Sequence, residues 1–421
     1  MKRLRIVVVG TLAGDPYAGM AWMHMQIVLG LCRLGHDAYY FETTSTWPYD
    51  PVRGMRVADS VYAVPYLNDV ASRFGLDGRW AYRRSYSDKA WLGMSAARAE
   101  EILASADLVL NVAGSTRLRE EGLRVGPLVY FGTDPVYHEA SYDNGDAESI
   151  SIVEEHDAVV TYGENIGTEH SPVPALPKLC AHTRQPVIMD MWAASGAARN
   201  TYTTVGNWKQ AGRDVMLRGE QYRWSKHFEF MKFIDLPQRV SASIELAMNL
   251  TVSDTAEHGD GTAVPAYGLS SAERAMLLET GWQLTESSEF TLDPWRYREY
   301  ILGSRAEFTV ARDLNVRLKS GWFSERSACY LAAGRPVVTQ DTGFGTVLPT
   351  GSGLFAFNTL DEAVEAIESI ESDYERHSRA ARDIAAEYFS SERVLPKLLD
   401  DIGSLSPRQA SAVSVDVDVD G

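Results

Sequence analysis

The chain has 421 residues, of which 45% are hydrophobic, and its formal net charge is −17. This length predicts two domains, and the acidic balance argues against nucleic acid as the main partner, because phosphate binding needs a basic stripe. The three cysteines lie far apart and form no CxxC pair, which argues against zinc sites and disulfides. We find no signal-like segment and no apolar stretch of membrane-spanning length, so we expect a cytoplasmic protein without a transmembrane helix.

The first half of the sequence alternates short apolar runs with helical patterns. RIVVVG predicts a buried strand, residues 20–36 predict a helix that ends near Gly35, and DAYYFET predicts a second strand. The alternation continues through ARAEEILASA, DLVLNVAG, PLVYFGTDP and HDAVVTYGENIG. Repeated βαβ units predict a doubly wound α/β sheet, and we assign residues 1–185 to a first Rossmann-like domain.

The second half repeats this pattern after a proline-rich segment, residues 174–192, which we interpret as the interdomain connection. Strands are predicted at NTYTTVGNW, SASIELAMN, RAEFTVA, RPVVTQD and GLFAF, and helices at SKHFEFMKFIDLP, SSAERAMLLETG and SERSACYLAAG. We assign residues 186–375 to a second Rossmann-like domain, 376–405 to terminal helices, and the polar, acidic residues 406–421 to a disordered tail. Ligands of open α/β sheets bind beyond the carboxyl ends of the strands, so we expect the functional residues in the loops there.

The loop after the first strand is rich in glycine, with Gly10, Gly14 and Gly19 around Asp15. Glycines at a strand-to-helix turn let backbone N–H groups approach a phosphate or a sugar, and the helix N-terminus adds positive potential. The spacing is not GxGxxG. Ligand contact and simple close packing are equally good interpretations of this loop.

The segment with the strongest functional signal is SGWFSERSACYLAAGRPVVTQDTGFG, residues 320–345. Its SERS entry predicts a helix N-terminus suited to a diphosphate, through free N–H groups and the helix dipole. The helix is predicted to end at Gly334, and a strand follows. The next loop supplies amide, carboxylate and hydroxyl groups, which suit the hydroxyl groups of a sugar. Its members are Gln340, Asp341, Thr342, Gly343, Phe344 and Gly345.

The order of these motifs resembles the donor-binding half of GT-B glycosyltransferases, in which the helix N-terminus holds the nucleotide diphosphate and the next loop holds the sugar. The opening strand, glycine loop, helix and LGHD turn resemble the first half of those enzymes. AAEYFSSERVLPKLL resembles their closing helix, which crosses back to the first domain. TRQPVIMDMW and YRWSKHFEFMKFIDLP also resemble a bacterial group labelled glycosyltransferase.

The resemblance implies two Rossmann-like domains that face a cleft, and transfer of a sugar from a nucleotide diphosphate sugar to an unidentified acceptor. It implies no cofactor besides this co-substrate and no bound metal ion. Two positions depart from the family pattern. Cys329 stands where many GT-B enzymes have a glutamate that binds the donor ribose, and Met20 stands where an inverting subgroup has a histidine base.

The catalytic base must therefore come from elsewhere, and the candidates are Asp15, His24, Asp134 and His138. Asp15 has the best position, in the first loop, although an aspartate before a proline also serves as a turn residue. Asp134 follows a predicted strand and has the same alternative. A packed or surface histidine is the favoured interpretation of His24.

For the donor we select Gly14 and Gly19 in the first loop and, in the second domain, a basic and polar set. An arginine forks onto phosphate oxygens, and a lysine neutralises a leaving diphosphate. The second-domain set comprises Lys226, Ser324, Glu325, Arg326 and Ser327, with the loop Gln340 to Phe344 for the sugar and with Lys209 and Arg213 as further cations. For the last two, which lie in a polar loop, a solvated surface charge is the better interpretation.

Two other functions stay open at this point. One is a nucleotide-sugar epimerase or hydrolase on the same architecture, which would turn over the donor alone. The other is a sugar- or nucleotide-binding module without catalysis, which the departures at Met20 and Cys329 keep open. The nucleotide, the sugar, the acceptor and the stereochemical course are open as well.

Overall fold

A computed structural model describes residues 2–193, 198–210, 212–250 and 268–403, together with the backbone of two short strands at 256–257 and 263–264. The tail predicted at 406–421 lies outside the described residues. Within these described ranges, no helix is long and apolar enough to cross a membrane.

The first half of the chain forms a sheet of eight strands with helices on its faces. The sheet is parallel except for its last strand, β6, and the strand order is β10-β9-β8-β7-β1-β2-β5-β6. The strands, including a separate antiparallel ribbon of β3 and β4, are β1 (Arg5–Val9), β2 (Asp37–Glu42), β3 (Tyr49–Asp50), β4 (Met55–Arg56), β5 (Trp80–Arg83), β6 (Trp91–Leu92), β7 (Leu108–Val112), β8 (Leu128–Gly132), β9 (Ala158–Thr161) and β10 (Leu179–His182). The helices are α1 (Ala18–Arg33), α2 (Ala63–Arg73), α3 (Ala96–Ala104), α4 (Tyr137–Asp143) and α5 (Ala147–Glu155).

The LGHD turn has a structural role in this domain. Gly35 adopts a left-handed conformation with φ of 88° and follows the last turn of α1. The buried ring of His36 accepts a hydrogen bond from the backbone N–H of Leu4 at 3.2 Å, and Asp37 forms an ion pair with Arg5 at 3.3 Å. These contacts attach the end of α1 and the start of β2 to the start of β1.

The second half forms a parallel sheet of six strands in the order β17-β14-β11-β18-β19-β20. The strands, including two antiparallel ribbons, are β11 (Thr201–Gly206), β12 (Val215–Leu217), β13 (Glu220–Tyr222), β14 (Ser243–Met248), β15 (Ala256–Glu257), β16 (Ala263–Val264), β17 (Gln283–Glu286), β18 (Ala306–Thr309), β19 (Val337–Gln340) and β20 (Leu354–Phe357). The helices are α6 (His227–Phe230), α7 (Leu236–Arg239), α8 (Ser271–Glu279), α9 (Ser288–Thr291), α10 (Pro294–Leu302), α11 (Asp313–Arg317), α12 (Glu325–Ala332), α13 (Leu360–Ser372), α14 (Tyr374–Ile384) and α15 (Ser391–Gly403). Two doubly wound Rossmann-like sheets thus confirm the predicted α/β class.

Two local predictions differ from the structure. The segment interpreted as a connection contains β10, which pairs with β9 at the edge of the first sheet. The prolines on both sides of this short strand made the segment look like a connection. They are compatible with a strand at the edge of a sheet, where a missing N–H donor is tolerated. SKHFEFMKFIDLP is not one helix but α6, a 3₁₀ turn and α7. Pro237 stands in the first turn of α7, where the absence of an N–H group costs nothing, so the chain starts a new helix there.

The two sheets are joined by aromatic packing and by the last helix. Trp22 of α1 lies 5.6 Å from Trp295 of α10, between ring centroids, and its indole N–H donates to the carbonyl of Pro294 at 2.7 Å. The last helix, α15, packs on α1, where a Cβ at Gly30 would come within 2.6 Å of Leu395. The absence of a side chain at position 30 leaves room for Leu395 and Ser391 of the terminal helix against the first domain.

Candidate functional site

The carboxyl ends of strands from both sheets meet at the boundary between them. Asn165, after β9, donates to the carbonyls of Lys319 and Gly343, each at 3.0 Å. The indole N–H of Trp322 donates to the carbonyl of Thr133, after β8, at 3.0 Å. The loops expected to carry function are therefore in contact.

A small cavity, with a volume of about 10 Å³, opens at the carboxyl ends of the second sheet, beside Arg326 of α12. It lies where β11, β14 and β18 end, the place at which open α/β sheets bind ligands. Its wall comprises Thr204, Val205, Gly206, Asn207, Lys226, Phe230, Met248, Thr309 and Arg326. Two predicted donor-binding residues, Lys226 and Arg326, thus share one cavity.

Lys226 is the cation in this cavity that lacks an anionic partner. Its side chain is half-buried and makes no hydrogen bond or ion pair with the described residues, and its ammonium lies 5.5 Å from the ring centroid of Trp322. Burial, followed by the positive charges of Arg326 and Arg312, lowers the pKa of Lys226 to about 7. An unpaired ammonium in this position costs free energy, which an incoming anion would recover.

Arg326 has a different environment, because its guanidinium is already used inside the second domain. It forms an ion pair with the fully buried Glu307 of β18 at 2.5 Å. It also donates to the carbonyl of Val205 at 2.7 Å and to the hydroxyl of Thr309 at 3.0 Å. The guanidinium that was predicted to contact phosphate oxygens therefore links β11 to β18 at the wall of the cavity.

Helix α12 begins as its SERS sequence predicts, with Ser324 as the N-cap residue. The Ser324 side chain makes no capping hydrogen bond, so no side-chain cap occupies the N–H groups of the first turn. Ser327 is buried, and its hydroxyl has no partner among the described residues. Glu325 is half-buried in the first turn. An uncapped N-terminus of this kind suits an anion.

A second cavity, which is a narrow cleft, lies between α1 and α12. It brings together Gly19 of the first domain and Glu325 of the second, both selected from the sequence. The wall comprises Gly19, Trp22, Met23, Gln26, Tyr297, Glu325, Arg326 and Cys329. Cys329 faces the side-chain amide of Gln26 at 3.7 Å, and burial raises the pKa of its thiol.

The loop after β19, predicted to hold the sugar, is tied down by its own contacts. Gln340 donates to Glu229 at 2.6 Å, and the hydroxyl of Thr342 donates to the carbonyl of Trp322 at 2.6 Å. Asp341 forms an ion pair with Lys319 at 2.9 Å. These groups shape the loop and are not free in this structure.

The end of that loop packs against neighbouring residues and is not open to a ligand. Gly343 has φ of 86°, and a Cβ there would lie 2.6 Å from the amide nitrogen of Asn165. Phe344 is buried, with its ring centroid 5.3 Å from that of Phe323. Glycine at position 343 is therefore required both by backbone conformation and by the contact between the domains.

The glycine loop of the first domain is closed by Glu42, a residue that the sequence analysis did not select. The N–H groups of Ala13 and Gly14 donate to its carboxyl group at 2.7 and 2.6 Å, and the hydroxyl of Tyr40 donates at 2.9 Å. Burial raises the pKa of Glu42 to about 8. A polar residue at the carboxyl end of β2 was the available signal for it.

Asp15, the preferred base, lies beside this loop and remains partly exposed. Its carboxylate forms an ion pair with Arg56 of β4 at 2.7 Å, and the exposed fraction of its side chain is 34%. Its backbone also turns the loop, accepting from the N–H of Tyr17 at 2.7 Å. Arg56 thus contacts one of the two carboxylate oxygens of Asp15.

His24 lies inside the first domain, in agreement with the packing interpretation. Its Nδ1 donates to the carbonyl of Met20 at 2.7 Å, while Nε2 is buried without a partner among the described residues. The ring lies against Gly10, where a Cβ would be 2.0 Å from Nε2. Burial lowers the pKa of His24 to about 4, so the ring is neutral at pH 7.

The remaining candidates make contacts of their own. His138 lies 3.1 Å from the hydroxyl of Ser149, and burial lowers its pKa to about 4. Lys209 forms an ion pair with Glu273 at 2.8 Å. The guanidinium of Arg213 stacks on aromatic rings, 5.3 Å from the centroid of Trp224 and 5.4 Å from that of Tyr137.

Asp134 pairs with Arg312, which the sequence analysis also missed. Asp134 follows β8 in the first sheet, and Arg312 follows β18 in the second, so this ion pair spans the two domains. Partners 178 positions apart leave no local sequence signal. Asp134 and Asp15 are thus each held by an arginine.

No protein-family model matches the sequence, and no curated protein matches it. Solved structures nevertheless share the fold over 96% of this chain and 100% of their own. HepE from Anabaena, in complex with UDP-glucose, is 10% identical with a TM-score of 0.55. An α-glucosyltransferase in complex with UDP and DNA is 11% identical with a TM-score of 0.53. Sucrose-phosphate synthase from Thermosynechococcus elongatus is 11% identical with a TM-score of 0.51. The chain therefore has the GT-B fold, two Rossmann-like domains that face a cleft.

Proposed function

We propose that this protein is a glycosyltransferase that moves a sugar from a nucleoside diphosphate sugar to an acceptor hydroxyl group. The observation that carries the proposal is the unpartnered ammonium of Lys226 in a cavity in front of the uncapped start of α12. A diphosphate supplies the negative charge that such a site lacks. UDP is the first nucleotide to test, because two solved structures of this fold contain it.

The proposed mechanism is electrostatic. As the glycosidic bond to the donor breaks, negative charge develops on the leaving diphosphate. The ammonium of Lys226 and the N–H groups of the first turn of α12 stabilise that charge. This arrangement requires no metal ion from the protein, so we expect turnover to persist in EDTA. Closure of the two domains would exclude water and bring the acceptor to the donor.

The acceptor side of the proposal rests on the first-domain loop. Asp15 is the partly exposed carboxylate there, and it belongs to the segment that leads into α1 and the second cavity. In an inverting reaction it would take the proton of the acceptor hydroxyl as the new bond forms. The carboxylate oxygen that Arg56 does not contact is the one that would take this proton.

Nucleotide binding tests the donor site. Thermal shift with UDP, dTDP and GDP should single out one nucleotide, with stabilisation of about 2.7 kcal/mol at a hundredfold excess over Kd. At the same nucleotide concentration, Lys226→Met should reduce that stabilisation to about 1.4 kcal/mol or less. Absence of stabilisation by all three nucleotides would contradict the donor site.

Product analysis tests the reaction. The matching nucleotide sugar is incubated with and without a panel of acceptors, and products are separated by mass spectrometry. Transfer predicts a glycosylated acceptor and little free sugar. Release of free sugar at an undiminished rate without any acceptor would instead indicate a hydrolase.

A further inference from the structure

The ion pair between Asp134 and Arg312 lies beside the proposed donor site. Trp322 connects the two places, because its ring faces the ammonium of Lys226 while its indole N–H donates to the carbonyl of Thr133, next to Asp134. On the other side, the guanidinium of Arg312 lies 3.7 Å from the ring centroid of Trp224, two residues before Lys226. Lys226 therefore faces Trp322 while Arg312 faces Trp224, and the positive charge of Arg312 lies near enough to lower the pKa of Lys226.

Arg312 has more hydrogen-bonding capacity than this structure uses. The residue is 91% buried, since its exposed fraction is 9%. A guanidinium has five N–H donors, yet Asp134 is its only hydrogen-bond acceptor among the described residues, and its buried Nε has no partner there. A buried, under-used guanidinium has a reason to bind a further anion.

One cation of this group has no direct ion-pair partner. Glu307 pairs with Arg326 and Asp134 pairs with Arg312, whereas Lys226 forms no ion pair with the described residues. Glu325 lies near enough to raise the pKa of Lys226 without forming an ion pair with it. The Asp134 carboxylate is partly in solvent, with 39% of its side chain exposed, and a diphosphate, with at least two negative charges, is an anion that could contact both Lys226 and Arg312.

We propose that Arg312 is a second donor-binding residue, which grips the diphosphate together with Lys226, and that Asp134 occupies Arg312 while the donor is absent. The donor then displaces the Asp134 carboxylate, so the two anions compete for one guanidinium. No covalent bond is made or broken in this exchange. The inference rests on the proposed donor site and adds one residue and one competitor to it.

Competition between Asp134 and the donor predicts whether each substitution strengthens or weakens UDP binding. Asp134→Asn removes the competing charge and should tighten UDP binding by about threefold to fivefold, the range expected for loss of a partly exposed ion pair. Arg312→Gln should weaken it by about tenfold or more, because a charged hydrogen-bond donor is lost. Asp134→Asn in the Arg312→Gln background should have no further effect, since the competition no longer exists.

Isothermal titration calorimetry with UDP measures these affinities. Asp190→Asn is the matched control, because it removes one negative charge from another exposed pair, with Arg33, and should leave the affinity unchanged. Arg312→Lys, which keeps the charge, should restore part of the affinity that Arg312→Gln loses. It also replaces Arg312→Gln if that variant does not fold.

Other outcomes would overturn the inference. If Asp134→Asn weakens UDP binding, Asp134 supports the site rather than competes with it. If it leaves UDP affinity unchanged and lowers only kcat, Asp134 acts in the chemistry. If Arg312→Gln binds UDP normally while Lys226→Met does not, the proposed donor site stands and only the role of Arg312 fails. No binding of any nucleoside diphosphate by the wild type would instead remove the proposed function itself.

Discussion

Replacing Lys226 with methionine separates function from stability, because the structure predicts opposite effects on the two. Methionine keeps most of the aliphatic volume and removes the charge. The lost interaction is a charge-assisted contact with the donor diphosphate, for which about 1.5–3 kcal/mol is typical. The Kd for UDP should therefore rise by about tenfold to a hundredfold or more.

The same substitution should stabilise the free protein. In the folded chain the pKa of Lys226 is lowered from 10.5 to about 7, chiefly by burial. The charged form thus carries a penalty in the folded state, which is full below pH 7 and disappears as pH rises towards 10.5. A shift of this size sets an upper limit of about 5 kcal/mol. Because the side chain is only half-buried, we expect about 1–2 kcal/mol, or about 2–4 °C in Tm per kcal/mol.

Affinity for the donor should fall as the pH rises, because Lys226 then loses its charge. UDP binds the ammonium form, so wild-type affinity should fall by about tenfold or more between pH 7 and pH 9, as Lys226 loses its proton. The Lys226→Met variant should lack this dependence. Calorimetry at several pH values and thermal melts of the free protein measure both effects.

Lys397→Met is a suitable control for these measurements. Lys397 lies on α15 in a pair with Asp401, and 71% of its side chain is exposed. This variant should change neither UDP affinity nor stability by more than about 0.5 kcal/mol. The reasoning would be refuted if Lys226→Met bound UDP as tightly as the wild type, or if it melted at a lower temperature.

Three further substitutions test other parts of the site. Asp15→Asn should lower kcat by roughly a hundredfold while leaving UDP affinity unchanged, and a fully active variant would remove Asp15 as the base. Asp341→Ala should weaken binding of the nucleotide sugar but not of the free nucleotide, and equal losses in calorimetry would exclude a contact with the sugar. Gly10→Ala should cost about 1–3 kcal/mol in denaturant unfolding, because its Cβ would lie 2.0 Å from His24 Nε2. Gly403→Ala, with open space around its Cβ, serves as the control, and equal stability of the two variants would contradict the close packing at Gly10.

Most strands of the two large sheets could be predicted because their signals are local. RIVVVG and DLVLNVAG are continuous apolar runs, and both form central strands of the first sheet. The helix predicted to begin after Ser270 has a capping box between Ser270 and Glu273, and Gly281 beyond its end has φ of 96°. Such signals need only the period of the side chains and the chemistry of a helix end.

The roles of the charged residues of the site could not be predicted from local signals. Lys226 and Arg326 are both cations near a predicted strand or helix end, and nothing local separates their roles. The structure pairs Glu307 with Arg326 and leaves Lys226 without an ion pair among the described residues. Which cation is neutralised depends on which strands become neighbours, and only the folded sheet decides that.

By itself, the sequence determined the doubly wound architecture and the loops in which polar groups gather. It also predicted where the two domains lie along the chain. Tertiary structure alone decided how those groups are used. It closed the glycine loop with Glu42 and joined Asp134 to Arg312, 178 residues further on. The physical reason is that secondary structure follows from interactions within a few residues. The charge, burial and pairing of a side chain depend instead on neighbours that only the complete fold brings together.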